Sequence, residues 1–416
     1  MKTIGIIAEF NPFHYGHKYL IEEAKKNAQA DFCVVVMSGN FVQRGAPALM
    51  DKYSRTRMAL LGGADLVLEL PVCYATASAE YFARGAVRLL DKLGVIDTLC
   101  FGSECGDINI LENALNLLDN ESSFGNDIKK NIKKGMSYPR ARAQAIESNI
   151  NSNININIEA TQILNQPNNI LGIEYIKALN YFQSAINKIT IKRKGAGYHD
   201  KKATAQEFSS ATAIRKLLSE NKQNISSDYL TQFVPQNTTS LYQNQFLKED
   251  DFSALLNYKL LLESETGYTR FFDVSNDLSD KIKKNLNNYN GYTRFIDTLK
   301  SKDLTYMRIS RCLCHILLDI RDDDINFFKE HDYIFYARML GFNENAAELL
   351  NKIKKNSDIP LLSKLADARK LLNDVHIAML KKDIQAADIY NVIYKQKNNI
   401  SLNEYTAPIE KYRPHN

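Results

Sequence analysis

Two histidines separated by Tyr-Gly stand where a short apolar run gives way to a helical pattern, and this junction constrains the fold more than any other part of the chain. Residues 4–10 have the pattern of a buried strand, and His14-Tyr15-Gly16-His17 follows it. Apolar residues then recur at helical spacing at Leu20, Ile21, Ala24 and Ala28. In an open α/β sheet such a turn lies at the carboxyl edge, where ligands bind. The junction therefore predicts a ligand site at the start of the first helix.

Further short β-branched runs alternate with longer helical patterns in the first part of the chain. Besides 4–10, strands are expected at residues 32–37, 66–70, 98–101 and 189–192. Apolar residues at helical spacing predict a helix over 78–93, with Gly94 as its C-cap. This alternation is typical of a parallel sheet covered by helices. We therefore predict an α/β fold of the Rossmann-like kind.

The composition changes along the chain and suggests two domains. Residues 146–158 contain a low-complexity Asn/Ile alternation, which is interpreted as an inserted loop without a function. After about residue 240 the strand pattern fades, and segments such as 309–320 and 367–379 have helical patterns. We predict a catalytic α/β domain over residues 1–240 and a mostly α-helical domain over residues 241–416.

Length, composition and charge limit the class of protein to which this chain can belong. With 416 residues, 44% of them hydrophobic, the chain is long enough for two or three folded domains. The apolar run at the amino terminus is too short for a signal peptide, and no later stretch could span a bilayer. We therefore expect a soluble cytoplasmic protein with no membrane partner. The net charge of +5 permits a polyanionic partner without requiring one.

The six cysteines form no CxxC pair. Three of them, Cys33, Cys73 and Cys100, lie in apolar runs and are expected to be buried and reduced. Cys312 and Cys314 precede His315, but two residues apart on a helix they point to different faces. We therefore expect no metal site.

The two histidines of the junction suit the binding of phosphate. The helix that follows them presents free N–H groups and a positive dipole end to an anion. Gly16 lets the backbone approach closely, and the imidazoles of His14 and His17 can donate hydrogen bonds to phosphate oxygens as charge builds in the transition state. The alternative is that both histidines only cap the helix. Their place directly after the first strand favours the phosphate site.

The junction resembles the signature of the HxGH nucleotidyltransferase superfamily, which implies transfer of an adenylyl group from ATP. A second element, residues 210–215 with the sequence SATAIR, resembles the superfamily's ISSTxxR motif, which closes over triphosphate. Ser210 is well placed as an N-cap, whereas Ala211 replaces the usual second hydroxyl. A plain helix start is the alternative for this segment.

A wider set of motifs occurs in a fixed order along nearly the whole chain. It consists of GNFVQRG at 39–45, FGSE at 101–104, PNNILG at 167–172, RKGAGYHD at 193–200, KDLTYMR at 302–308 and DIYN at 388–391. Together these segments resemble the bacterial tRNA(Met) cytidine acetate ligase family. A structural role is expected for the turn that contains His199 and Asp200.

The resemblance implies an ATP site with His14 and His17 as the catalytic residues. Gly102 at a strand end allows close approach of a nucleotide, Asn168 can bond ribose or base, and Arg193 with Lys194 can neutralise triphosphate. An ordinary turn glycine, an N-cap and a solvated basic pair are the respective alternatives. The expected ATP-binding residues are Ile7, Ala8, Glu9, Phe10, Asn11, Pro12, Phe13, His14, Tyr15, Gly16, His17, Lys18, Tyr19, Leu20, Gly102, Asn168, Arg193 and Lys194.

Other basic residues are candidates for contacts with a substrate or with tRNA. Arg44 can hold either a carboxylate or a tRNA phosphate. Lys300, Lys302, Arg308 and Arg311 supply charge beside Tyr292 and Tyr306, a combination suited to reading a single-stranded loop. Lys352, Lys354 and Lys355 form a second basic group. For each cluster, a solvated helix face is the alternative.

The resemblance implies two steps: acetate attacks ATP to give acetyl-adenylate and pyrophosphate, and the wobble cytidine of elongator tRNA(Met) then takes the acetyl group, forming N4-acetylcytidine. ATP is a substrate, expected to arrive with Mg²⁺, and no prosthetic group is implied. The partners are acetate, ATP and the anticodon loop. Two alternatives remain: an adenylyltransferase acting on a small phosphorylated acceptor, and a non-catalytic RNA-binding protein that retains a nucleotide fold.

Overall fold

A computed structural model of the chain describes residues 1–118, 123–134, 136, 140–141, 144–145, 148, 163–164, 166–194, 209–220, 226–243 and 245–413. Two predicted features lie outside these residues. They are the Asn/Ile-rich insertion at 146–158, apart from residue 148, and the part of the 193–200 motif that contains His199 and Asp200.

One mixed sheet forms the centre of the structure. Its strands follow the order β10-β8-β5-β2-β1-β6-β7, with β9 paired to β8, and β3 and β4 form a separate hairpin. The strands are β1 (Thr3–Ala8), β2 (Phe32–Ser38), β3 (Phe41–Val42), β4 (Ala46–Pro47), β5 (Leu66–Leu70), β6 (Thr98–Ser103), β7 (Asn187–Lys192), β8 (Ala337–Asn343), β9 (Leu361–Leu362) and β10 (Glu410–Tyr412). All five predicted strands are present, with ends that differ from the prediction by at most two residues, and they pair in parallel.

Helices cover the sheet and form most of the second half. They are α1 (Tyr15–Ala28), α2 (Lys52–Leu61), α3 (Val72–Ala75), α4 (Ala79–Lys92), α5 (Ile108–Leu118), α6 (Ser123–Lys133), α7 (Pro167–Tyr181), α8 (Ala211–Glu220), α9 (Ser227–Leu230), α10 (Ser253–Glu263), α11 (Asn276–Asn285), α12 (Tyr292–Leu299), α13 (Tyr306–Leu317), α14 (Asp322–Glu330), α15 (Ala347–Asn356), α16 (Ala368–Leu371) and α17 (Asp374–Asn398). In the described ranges, none of the helices is both long and apolar enough to cross a membrane.

Both faces of the sheet are buried, as expected for strands between layers of helices. Along β2, Val34 and Val36 join one apolar cluster, whereas Cys33, Val35 and Met37 join the other. Successive strand residues point to opposite faces, so the two clusters lie on opposite sides of the sheet. The α/β fold is therefore confirmed, and Cys33, Cys73 and Cys100 are buried as predicted.

The predicted helix over 78–93 is α4, and its end differs slightly from the expectation. Leu93 is the C-cap, and Gly94 follows it with a φ of +64°. A Cβ on Gly94 would lie 2.5 Å from the carbonyl oxygen of Asn356. Glycine is required here both by the left-handed backbone and by this close approach.

The sheet extends across the domain boundary predicted at residue 240. β8 pairs antiparallel with β5, and β10 pairs in parallel with β8. These strands add one antiparallel pair to the predicted parallel sheet, and the mostly helical second half therefore contributes strands to the sheet as well as helices. The sequence pattern did not predict β8, because this strand contains a buried arginine. That residue, Arg338, pairs with Glu69 and Glu404. The division into two domains stays a prediction.

Candidate functional site

The carboxyl ends of β1, β6 and β7 and the loop between β3 and β4 border a cavity of about 500 Å³. A smaller cavity of about 40 Å³ adjoins it and shares His14, His17, Leu20, Gly102 and Arg193. The larger cavity is also lined by Ile7, Ala8, Glu9, Phe10, Asn11, Gln43, Arg44, Ala79, Phe82, Phe101, Pro167, Asn168, Ile170, Leu171, Tyr175, Ser210, Ala211, Thr212, Arg215, Met307 and Arg311. The smaller cavity is also lined by Gly16, Tyr19, Ile191, Lys192, Lys194 and Ser209.

Most of the predicted ATP-binding run contributes to the walls of these two cavities. Four of its residues do not: Pro12, Phe13, Tyr15 and Lys18. Phe13 is fully buried, the Tyr15 hydroxyl donates to the carbonyl of Thr231, and Lys18 pairs with Glu22 at 3.7 Å. These four residues therefore do not line either cavity.

The two motif histidines cap helix α1 and line the cavity at the same time. The Nδ1 atom of His14 accepts a hydrogen bond from the Gly16 amide at 3.0 Å, and Nδ1 of His17 accepts one from the His14 amide at 3.3 Å. The centroids of the two rings lie 3.8 Å apart. The helix-cap alternative and the ligand-facing alternative therefore describe the same two side chains.

The cap hydrogen bonds, together with burial, determine the protonation state of the two imidazole rings. Burial, followed by the charges of Arg193 and Arg215, lowers the pKa of His14 to about 3. Burial, followed by the neighbouring His14 and Arg193, holds the pKa of His17 well below its usual value. Because Nδ1 accepts in each neutral ring, the proton must be on Nε2. Each ring is thus a neutral Nε2–H donor on the cavity wall.

We expect this protonation state to be visible by NMR. In the free protein at pH 5.5, the ring resonances of His14 and His17 should keep the shifts of neutral Nε2–H imidazole, because both pKa values are lowered. The resonances are assigned by their loss in His14→Gln and His17→Gln. A ring that becomes charged near pH 6.5 would contradict this prediction. Unfolding would let both rings take up protons, so these groups stabilise the fold above pH 6.5 and lose that effect as the pH falls.

The first turn of α1 offers fewer free N–H groups than the sequence suggested. The Tyr15 amide donates to the carbonyl of Phe233, and the Gly16 amide donates to His14. The expectation that bare helix amides hold phosphate is therefore corrected. An anion in the cavity would instead meet the Nε2–H groups and nearby arginines, with the helix dipole adding to the attraction.

Arg193, Lys194 and Gly102 lie together at the ends of β6 and β7. The Arg193 amide donates to the carbonyl of Ser103, which fixes the side chain beside the histidines. The Lys194 ammonium lies 4.5 Å from the centre of the Tyr19 ring. A Cβ on Gly102 would lie 3.4 Å from the Arg193 side chain and 3.9 Å from the carbonyl oxygen of Ile191, both ordinary van der Waals distances. Packing within the protein therefore does not itself require glycine at this position.

Asn168 lines the cavity and is oriented by a residue that the sequence analysis did not single out. Its side-chain nitrogen donates to Oε1 of Glu104 at 2.7 Å. Oε2 of Glu104 accepts from the Asn169 amide, and Oδ1 of Asn169 accepts from the Glu104 amide. This reciprocal pairing joins the end of β6 to the start of α7. The carboxylate of Glu104, two residues after Gly102, was the available signal.

The SATAIR segment reaches the cavity as the start of α8. Ser210 caps the helix through a hydrogen bond from the Ala213 amide, as predicted. Arg215 donates from Nη1 to the carbonyl of Asn11 at 2.6 Å. The Thr212 hydroxyl accepts from both Arg215 and Arg44, at 3.0 and 3.2 Å. Arg215 and Thr212 therefore connect this segment to the HxGH loop. Neither residue was among the predicted site residues.

Two buried side chains hold the HxGH loop in place. Arg55 donates to the carbonyls of Glu9 at 2.7 Å and Ser38 at 3.0 Å, at the ends of β1 and β2. The Tyr242 hydroxyl donates to the carbonyl of Phe13 at 2.7 Å. Burial lowers the pKa of Arg55. Sequence reasoning missed both residues, because neither belongs to a recognisable motif.

The predicted tRNA-facing cluster separates into different environments. Lys300 pairs with Asp297 at the surface, and Arg308 pairs with Asp273 at 3.1 Å. Lys302 is exposed. Arg311 instead lines the cavity, and Tyr292 is buried with its hydroxyl 3.5 Å from the carbonyl of Gly45. The expectation that Tyr292 offers a stacking surface is therefore wrong, because helix packing covers its ring.

The Cys312–His315 segment is part of the core. The rings of His315 and Phe272 lie 5.1 Å apart, and the two His315 nitrogens lie within hydrogen-bond distance of the carbonyls of Phe272 and Thr76. Burial lowers the pKa of His315 to about 4. Among the described residues, no group of three or more His, Cys, Asp or Glu side chains is arranged to hold a metal.

Comparison with known proteins shows the family to which the chain belongs. Residues 1–404 match the sequence model of the HIGH Nucleotidyl Transferase family. The chain is 40% identical over 402 residues to the tRNA(Met) cytidine acetate ligase of Acetivibrio thermocellus, covering 95% of this chain and 96% of that protein. It is 41% identical over 418 residues to the protein of the same name from Thermoanaerobacter sp., covering 99% of this chain and all of the other.

Solved structures show the same architecture. The apo crystal structure of Thermotoga maritima TmcAL superposes with a TM-score of 0.89 at 29% identity, over the whole of both chains. A second crystal form of that protein, bound with alpha-thio ATP, gives a TM-score of 0.87 at 28% identity, again over both whole chains.

Proposed function

The chain belongs to the tRNA(Met) cytidine acetate ligase family, within the HIGH nucleotidyl transferases, and from this premise we propose that it is an ATP-dependent acetate ligase acting on a cytidine of tRNA(Met). The observation that carries the proposal is the pair of neutral Nε2–H donors, His14 and His17, beside Arg193 and Arg215 in one cavity. Donors of this kind stabilise charge that develops on a phosphate without forming a covalent bond.

In the first step an acetate oxygen attacks the α-phosphorus of ATP. The new P–O bond forms as the bond to the β-phosphate oxygen breaks, and the electron pair leaves with pyrophosphate. His14 and His17 donate to the phosphate oxygens, and Arg193 and Arg215 neutralise the leaving group. The protein contributes positioning and electrostatics, and it needs no nucleophile of its own.

In the second step the exocyclic amine of the wobble cytidine of elongator tRNA(Met) attacks the carbonyl carbon of acetyl-adenylate. The C–O bond to AMP breaks, AMP leaves with its electron pair, and the amine loses a proton, which gives N4-acetylcytidine. Burial of the adenylate in the cavity protects the mixed anhydride from water until the cytidine arrives.

The remaining assignments extend the same proposal. Mg²⁺ would arrive with the triphosphate, since Glu9 is the one carboxylate on the described walls of the two cavities and its Oε1 accepts from the Gln43 amide. The helical region after residue 240 would hold the tRNA while its anticodon loop reaches the cavity. Lys300, Lys302, Lys352, Lys354 and Lys355 are the proposed surface charges, and the proposed location is the cytoplasm.

One assay tests the function. Purified protein should release pyrophosphate from ATP with acetate, but not with phosphorylated small acceptors, and should then transfer labelled acetyl groups to tRNA(Met). The physical reason is that the same cavity contains the two histidine donors and several arginines, which can neutralise the triphosphate and a carboxylate.

Two outcomes would contradict the proposal. Pyrophosphate release that depends on a phosphorylated acceptor instead of acetate would indicate an adenylyltransferase. Binding of tRNA that is independent of ATP, with no pyrophosphate release under any condition, would indicate a non-catalytic RNA-binding protein.

A further inference from the structure

Helix α13 brings an arginine to the cavity from the second half of the chain. Arg311 lines the cavity on the same helix as Met307, four residues earlier and therefore on the same face. Sequence reasoning grouped Arg311 with a tRNA-facing cluster, but the structure separates it from Lys300 and Lys302. Its position in the cavity requires another explanation.

The approach of α13 to the loop that carries Arg44 is unusually close. Gly45 has a φ of +71°, and a Cβ there would lie 2.4 Å from both the Cα and the backbone nitrogen of Arg311. The Ser310 hydroxyl donates to the carbonyl of Gly45 at 3.0 Å. Only glycine permits this contact, and its effect is to bring Arg44 and Arg311 into one cavity from adjoining backbones.

Arg311 carries an unsatisfied donor. Its Nε is buried and has no hydrogen-bond partner, and among the described residues no carboxylate lies within ion-pair distance of its guanidinium. Asp273, the acid whose charge acts most strongly on Arg311, is instead paired with Arg308 at 3.1 Å. A buried charged donor without a partner is costly, and an anionic ligand would remove that cost.

Arg311 reaches the cavity on a different element from the phosphate donors. It lies on α13, whereas Arg193 directly follows β7 and Arg215 lies on α8, where it shares the Thr212 hydroxyl with Arg44. In phosphoryl transfer the attacking and leaving oxygens lie roughly in line. The nucleophile must therefore approach from the side of the α-phosphorus opposite to the pyrophosphate donors.

Apolar side chains line the same cavity as Arg311. One turn along α13, His315 is within hydrogen-bond distance of the Thr76 carbonyl at 3.1 Å, which places the start of α4 beside this face. Ala79 and Phe82 from α4 line the same cavity, as does Met307. A methyl group would be buried favourably there, whereas a nucleotide phosphate would not.

We infer that Arg311, supported by Arg44, binds the carboxylate of acetate and holds it for attack on ATP. The inference rests on the proposed function and assigns its second substrate to particular residues. A guanidinium is suited to a carboxylate in geometry and charge. Once the adenylate has formed, the same donor can bond the acetyl carbonyl oxygen, which gains negative charge when the cytidine amine attacks.

The test is acetate-dependent exchange of pyrophosphate into ATP, which requires no tRNA. Arg311→Met should raise the KM for acetate roughly 10- to 100-fold, the loss expected for one charge-assisted hydrogen bond, and leave the KM for ATP close to wild type. Arg311→Lys keeps the charge but not the planar fork and should give an intermediate KM. Arg308→Met is the matched control, because it removes the same charge from the same helix outside the cavity.

The outcomes separate this inference from the proposed function. Wild-type protein without acetate-dependent exchange would refute the proposed function, and the inference with it. If the wild type is active but the KM for acetate is unchanged in both Arg311 variants, the inference is wrong and the proposed function stands. If these variants raise only the KM for tRNA, the inference is also wrong, because Arg311 would then contact a tRNA phosphate. If the melting curve shows that Arg311→Met does not fold, Arg311→Lys provides the test. A KM for acetate above that of the wild type supports the inference, and an unchanged KM contradicts it.

Discussion

Replacing His17 with alanine is expected to slow acetyl-adenylate formation by about 100- to 1,000-fold, the effect typical of removing one preorganised donor to developing charge. His17 lines the cavity, and its Nδ1 accepts from the His14 amide, so Nε2–H is the atom that can reach a phosphate oxygen. The measurement is single-turnover pyrophosphate release with saturating ATP and acetate. Because the ring is held neutral by burial, its loss removes a hydrogen-bond donor rather than a positive charge.

The same substitution also removes a helix cap, and a second variant separates the two effects. His17 occupies the third helical position of a capping box, where glutamine can accept from the N-cap amide in the same way. His17→Gln should therefore recover most of the stability that His17→Ala loses, on the order of 1 kcal/mol, without recovering activity. Activity that returns together with stability would show that His17 acts only as a cap. Wild-type rates in His17→Ala would remove the ring from the mechanism.

Replacing Glu404 with alanine is expected to cost about 3–5 kcal/mol of the free energy of unfolding, as when one member of a buried ion network is removed. Its carboxylate accepts from Lys52 at 2.6 Å and from Arg338 at 2.5 Å, and Glu69 completes the network. All four side chains are at most 5% exposed. Without Glu404, two buried cations would share one carboxylate. Urea unfolding at pH 7 measures the loss.

The control is an exposed ion pair. Asp367 pairs with Lys370, whose side chain is 79% exposed, and Asp367→Ala should change the stability by less than about 0.5 kcal/mol. Burial alone would raise the pKa of Glu404, but the charges of Lys52 and Arg338 outweigh it and hold that pKa below its usual value. The difference between wild type and Glu404→Ala should thus shrink as the pH falls below about 4.5, through the lowered pKa. A loss at pH 7 no larger than that of Asp367→Ala would contradict the role of the network.

The features that could be predicted from the sequence are those that short segments specify. The five strands, the helix over 78–93, the cap at Ser210 and the placement of His14 and His17 after β1 all depend on residues within one or two turns of each other. The ordered motifs also led to the correct family and fold. The individual ATP-binding residues stay predictions, although the cavity contains most of them.

Contacts between residues far apart in the sequence could not be predicted from such local patterns. Glu404 meets Lys52 across 352 positions, and Gly45 touches Arg311 across more than 260. β8 was missed because its buried arginine breaks the apolar pattern, and that arginine is stable only beside two carboxylates from other segments. Tyr292 and Arg311 were both expected at a tRNA surface, yet the packing of α12 and α13 buries the first and turns the second into the cavity.

The sequence by itself determined the α/β fold of the first half and the HxGH junction, because strand alternation, helical spacing and helix capping are local. The adenylyl chemistry was implied by the resemblance of that junction to the HxGH nucleotidyltransferases. Tertiary structure decided which nitrogen of each histidine is the donor and which arginines share the cavity. It also decided how the second half completes the sheet. These properties depend on burial and on contacts between distant segments, which exist only once the chain has folded.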